Sequence, residues 1–184
     1  MTVSTKENLL AVDLELIARL KEVGSWCGET HVQKSMFLLS TVLDSDLGYE
    51  FIIYKHGPFS FDFRDDLIAL QSIGAVKLKT TVPGYGPSFE ISDFANKIRE
   101  KNKEFIKRHL KSIDFIVKKF GKNDVKFLEK ITTAIYIAKN ASSESESSWV
   151  AKMHELKPHI PFKECEAAVN SAQIYLSEVK QFRK

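Results

Sequence analysis

Cysteine is scarce in this chain, with two in 184 residues, and no apolar run comes near the roughly 18 residues that a membrane-spanning helix requires. Cys27 and Cys165 lie far apart with no paired spacing, which excludes a disulfide framework and a four-cysteine zinc site. The N-terminus has no basic-then-apolar leader. Together these absences predict a cytoplasmic protein that makes no membrane contact.

Catalytic signatures are missing as well. Neither cysteine sits beside a base and a third orienting group, as an activated nucleophile needs. Gly84-Tyr85-Gly86-Pro87 is no phosphate loop, because Pro87 removes an N–H that a phosphate would use. Metal ligation is poorly served: Cys27 and His31 form one isolated pair, while His154 and His159 straddle Pro158. The expectation is no catalytic residue, no cofactor and no resident metal, hence not an enzyme.

What is present is a core. Hydrophobic residues make up 43% and aromatics 11%, enough for one mixed domain or two small ones. Leu9, Leu16, Leu20 and Val23, with Leu10, Leu14 and Ile17 beside them, predict a helix ending at Gly24. Thr30-His31-Val32-Gln33 matches a capping box and opens a second helix running to about Leu43. Tyr49 to Tyr54 reads as a short strand, followed by a rigid His56-Gly57-Pro58 turn. A third helix starts at Ser60, buries Phe63, Leu67 and Leu70, and stops at Gly74. Val76 to Ile91 alternates around a glycine-jointed tip, the pattern of a hairpin.

Beyond Ser92 the chain reads as helical. Ile106, Leu110, Ile113, Val117 and Phe120 keep helical spacing until Gly121, and Asn123 can cap a stripe of Val125, Leu128, Ile131 and Ile135. Ala141 to Ser148 is a small, polar run that predicts a loop before helices around Trp149–Leu156 and Lys163–Phe182. The predicted fold is therefore α+β and mostly helical. A winged-helix-like N-terminal unit over residues 1–92, with three helices, a short strand and a β-hairpin wing, precedes a C-terminal helical unit over 93–184 that packs on it.

Two stretches carry a family likeness. His31-Val32-Gln33-Lys34-Ser35-Met36-Phe37 and Tyr54-Lys55-His56-Gly57-Pro58-Phe59-Ser60 resemble the Leu-Gln-Lys helix and the aromatic-x-x-Gly-Pro turn of the Panacea (SocA-like) antitoxin domain and of YwgA-type proteins. Ser35 stands where those families carry an apolar residue, and Phe37 replaces their Tyr. The resemblance spans roughly residues 10–92. It implies a non-catalytic module of antitoxin or phage-defence type that neutralises or regulates a protein partner, a toxin or a defence-system component.

For such a partner the candidate contacts are Lys34, Tyr54, His56, Gly57, Pro58 and Ser60 at the elbow, with Asp62, Asp65 and Asp66 on an acidic third helix. Three carboxylates against Arg64 give that helix the wrong sign for reading DNA. The alternative is a DNA-binding transcriptional regulator. From Lys97 to Lys130 twelve Lys or Arg stand against five Asp or Glu, an excess of seven in a chain of net charge +3. In that reading Lys101, Lys103, Lys107, Arg108 and Lys111 grip phosphates, and Tyr85 at the wing tip adds a contact. A homo-oligomer is compatible with either.

Overall fold

The computed structural model describes residues 5–43, 47–80, 86–141 and 145–183, the side chains of 42 and 43 excepted. Most of the expected wing tip, Tyr85 included, and part of the Ala141–Ser148 run lie outside the described residues. Among the described residues the chain forms eight helices and two antiparallel two-stranded sheets, an α+β and mostly helical fold.

Helix α1 (Lys6–Glu22) is the axis of the fold. Thr5 caps it by accepting from the Asn8 N–H, and residues 11 to 18 are buried on every side of the helix. A helix enclosed all round must neutralise its own charges, and α1 does so twice. Glu15 pairs with Arg19 at 2.7 Å and with Arg99 at 2.6 Å. Asp13 meets the Tyr49 hydroxyl at 2.9 Å, and that hydroxyl also lies 2.7 Å from Asp66.

Proton counting constrains this last triad. A phenol carries a single proton and serves one carboxylate as donor, so the second close contact needs a proton of its own. Asp66 has the Lys6 ammonium beside it, whereas burial pushes the Asp13 carboxyl well above its ordinary range. Of the two acids, Asp13 is therefore the one whose surroundings disfavour the charged form.

Helix α2 (Glu29–Leu43) begins two residues earlier than the capping box predicts, which would make Thr30 the cap and His31 the first helical residue. Gln33 does not cap its own helix: its Nε2 donates to the Ser60 carbonyl and its Oε1 accepts the Ser60 N–H, both at 3.0 Å. A buried amide that can complete two bonds to one residue's backbone leaves fewer polar atoms unpaired than a surface cap. The two bonds tie the start of α3 to α2.

Strands β1 (Ile52–Tyr54) and β2 (Gly57–Phe59) form a tight hairpin around Lys55 and His56, with Tyr54 opposite Gly57. Gly57 and Pro58 are therefore a returning strand and not the turn itself. Proline fits there because its missing N–H faces away from a ladder only two strands wide. Helix α3 (Phe61–Ser72) is capped by Ser60, which accepts from the Phe63 N–H, and Gly74 follows it at φ +73°.

Strands β3 (Val76–Lys79) and β4 (Ser88–Ile91) make the wing, in register Leu78↔Phe89. Its edge pairs with the α1–α2 connection through a Gly28–Ser88 bridge and a 2.9 Å bond from the Phe89 N–H to the Cys27 carbonyl. The element order is that of a winged helix with a second hairpin inserted before α3.

Helix α4 (Asp93–Lys101) starts at Ser92 and is separated from α5 (Lys103–Phe120) by Asn102, a break the apolar spacing does not reveal. Asp124, one residue after the expected Asn123, caps α6 (Val125–Asn140) by accepting from the Phe127 N–H. Val125 does not join the buried stripe and is 38% exposed. Ser145 caps α7 (Glu146–Leu156), so the end of the expected loop is helical, and α8 (Phe162–Phe182) closes the chain. One hydrophobic cluster runs from Leu14, Leu39 and Phe63 to Phe120, Ile135 and Tyr175, and α5 and α6 both pack on α2.

Candidate functional site

The β1–β2 elbow is held from beneath by buried charge. Lys34, on α2, is 1% exposed and donates to the Pro58 carbonyl at 2.8 Å. Lys157, just after α7, donates to the carbonyls of Tyr54 at 3.1 Å and Lys55 at 2.5 Å. Two buried ammonium groups require a counter-charge, and Glu129 of α6 supplies it, 3.0 Å from Lys157. His56 and His159 flank the same carboxylate at 3.8 and 3.7 Å. Burial lowers the Lys34 pKa to about 8, with Glu129 acting in the opposite direction.

Gly57 is what lets the hairpin sit this close. Its φ is +93°, and a Cβ there would lie 3.0 Å from Thr133 Oγ1 and 3.4 Å from the Glu129 carbonyl. Only glycine combines that backbone with that clearance. The result is an elbow fixed by groups from α2, α6 and the α7–α8 connection.

Three rings decorate the outer side of this fixed elbow. Tyr54, Phe59 and Phe61 touch one another with centroids 5.1 to 5.9 Å apart, and Tyr54 and Phe61 are 55% and 47% exposed. Beside them lies a pocket of about 250 Å³, with Lys34, Lys55, His56 and Arg64 among its walls. It shares Glu29, Thr30 and Arg64 with a groove of about 460 Å³ that runs between α3 and the wing, lined by Trp26, Ile68, Leu78 and Pro87.

Of the expected partner contacts, Tyr54, His56, Asp62 and Asp65 are exposed and lie on the elbow and the outer face of α3. The others are corrected. Asp66 is 2% exposed and engaged with Tyr49 and Lys6, because its position on α3 faces α1 and not solvent. Lys34, Gly57, Pro58 and Ser60 are buried: Lys34 and Gly57 line the floor of the pocket beside the elbow, while Pro58 and Ser60 shape the elbow from behind. Glu129, Lys157 and His159 belong to the site and were not anticipated. A basic residue directly before Pro158 was the one available sign.

The basic segment is less basic in space than along the chain. Lys101 pairs with Glu7, Lys103 with Glu100 and Lys107 with Glu104. Arg99 turns inward to Glu15, while Lys119 and Lys130 meet Glu178 and Glu164. Arg108 lies over the Phe105 ring at 5.7 Å, and Lys111 is exposed. Four of these carboxylates come from outside residues 97–130, which a sum over that window does not count.

Cys27 is buried with a thiol pushed up to about 12, His31 contacts the Ser25 hydroxyl, and His154 donates to the Ile160 carbonyl. Among the described residues no three His, Cys, Asp or Glu converge as metal ligands, and no helix is long and apolar enough to cross a membrane. The chain matches no protein-family model and no curated protein.

Proposed function

We propose that this chain is a protein-binding regulatory module that receives its partner on the elbow and the outer face of α3, acting by association and not by chemistry. The observation that carries the reading is the Tyr54–Phe59–Phe61 cluster, two rings of which are about half exposed on a backbone pinned by buried lysines. Aromatic anchors that are rigid before binding lose little conformational entropy on docking and tend to dominate interface energy. Asp62 and Asp65 add a polar rim. The resemblance to antitoxin domains supports placing the partner among toxins or defence-system components, in the cytoplasm.

Charge distribution favours this reading over nucleic-acid binding. Lysines already paired with carboxylates release fewer counterions from a phosphate backbone, and three of the five candidate phosphate contacts are so paired.

Co-expression with the product of the adjacent gene, followed by size-exclusion chromatography, tests the proposal. The two chains should co-elute, and Tyr54→Ala combined with Phe61→Asp should separate them without altering the circular dichroism of this chain. Co-elution of the double variant at wild-type strength would remove the elbow from consideration.

A further inference from the structure

The pocket beside the aromatic cluster has a charge balance that the docking reading alone does not explain. Its walls carry Lys34, Lys55 and Arg64 against the single carboxylate of Glu29, with His56 at the edge. Lys34 is the unusual member. Its ammonium is enclosed, it lines the cavity, and among the described residues it has one hydrogen-bond acceptor, Pro58, for three N–H donors. A buried donor with unused capacity beside an open cavity is a group that gains when a ligand supplies an acceptor.

The neighbouring groove has the opposite character. Trp26, Ile68, Leu78 and Pro87 give it an apolar lining, and Ile68 and Leu78 are about half exposed. Because the two cavities share Glu29, Thr30 and Arg64, a single extended segment can occupy both. We infer that the pocket takes the carboxylate of an Asp or Glu side chain from the partner polypeptide, with a large apolar residue of the same segment lodged in the adjoining groove. This rests on the docking reading and specifies the partner's chemistry.

Charge complementarity selects a carboxylate over a nucleic-acid phosphate. Glu29 in the pocket wall, together with Asp62 and Asp65 exposed on the same helix as Arg64, opposes a continuous anionic backbone but tolerates one acidic residue flanked by neutral ones. The guanidinium of Arg64, half exposed and 4.0 Å from Glu29, can turn to accept a carboxylate in two-pronged fashion.

A peptide-display library of random sequences, panned against the full chain, is the direct test. Enriched peptides should share an acidic residue beside a large apolar one. For one such synthetic peptide, fluorescence anisotropy should show a loss of about tenfold or more on Arg64→Glu, as removal of a charge-assisted bond produces. Replacing the peptide's acid by its amide should cost as much in the wild-type chain and little in an Arg64→Gln variant, the signature of direct pairing. Lys55→Glu, also exposed, is a second variant that leaves the buried cluster intact. Enriched peptides without an acid, or an amide replacement with no effect, would overturn the pocket assignment and leave the docking reading standing. Displacement of the peptide by a single-stranded oligonucleotide through Arg64 would reassign the pocket to phosphate. If no peptide is enriched, the pocket assignment fails. The docking reading fails as well only if the adjacent gene's product also does not bind.

Discussion

The two hairpins of this molecule, the short elbow over residues 52–59 and the longer wing over 76–91, are built on opposite terms. The wing is held by its edge: the Trp26 ring N–H donates to the Gly86 carbonyl at 3.2 Å, and Lys21 reaches the Trp26 carbonyl and the Ser88 hydroxyl, each at 3.4 Å. All of these are partly solvated bonds to the N-terminal half. The elbow is held from its underside by ammonium groups on its carbonyls and by a glycine seated against α6. The contrast teaches that position on the surface does not measure how firmly a hairpin is set. Desolvated charge makes the elbow costly to assemble and costlier to leave half assembled.

The sharpest way to break the contrast is to remove the counter-charge. Glu129→Gln leaves Lys34 and Lys157 buried without a nearby carboxylate and should cost about 3–5 kcal/mol in urea denaturation. Gly57→Ala combines an unfavourable φ with contact at 3.0 Å on Thr133 and should cost about 1–3 kcal/mol. Both should loosen the elbow and weaken partner binding.

A pH titration separates the hairpins again. The folded-state pKa of Lys34, about 8, lies below its ordinary value of 10.5, so the unfolded chain binds more protons between them. Its contribution to stability is therefore fullest above pH 10.5 and is lost as pH falls through 8. Lys34→Met should abolish that slope. The comparison must be made against wild type, because Asp13, whose carboxyl is raised, drives stability the other way, downward as pH rises above the ordinary Asp range.

The wing should respond less. Trp26→Phe removes its bond to Gly86 and should cost about 0.5–1 kcal/mol. Smallest of all, Lys103→Ala and Lys107→Ala on α5 break fully exposed pairs and should each leave the urea midpoint unchanged. A large loss at either lysine would show that the basic face is more than solvated surface.

Local chemistry made much of the fold legible. Ser60 and Ser92 cap where their side chains allow, and Gly74 ends α3 where a left-handed residue is needed. The elbow's location was equally plain from its glycine and proline. Its wiring was not, because a buried lysine and a solvated one have the same letter, and Lys34 meets Lys157 only through Glu129, far along the chain. Asp66 misled for the same reason: beside Asp62 and Asp65 it completes an acidic run, and only the packing of α3 on α1 turns it inward. The Gln33 amide fitted a capping box by spacing, yet a longer-range partner claimed it.

That amide has a consequence for how the elbow could be tuned. Because both ends of the Gln33 carboxamide grip the backbone of Ser60, its two methylenes act as a spacer rod between α2 and the first turn of α3. Shortening the rod with Gln33→Asn forces α3 to settle inward or to let go of one grip. In either case Phe61 tilts relative to Tyr54, and a bound protein would sense a residue that it never touches.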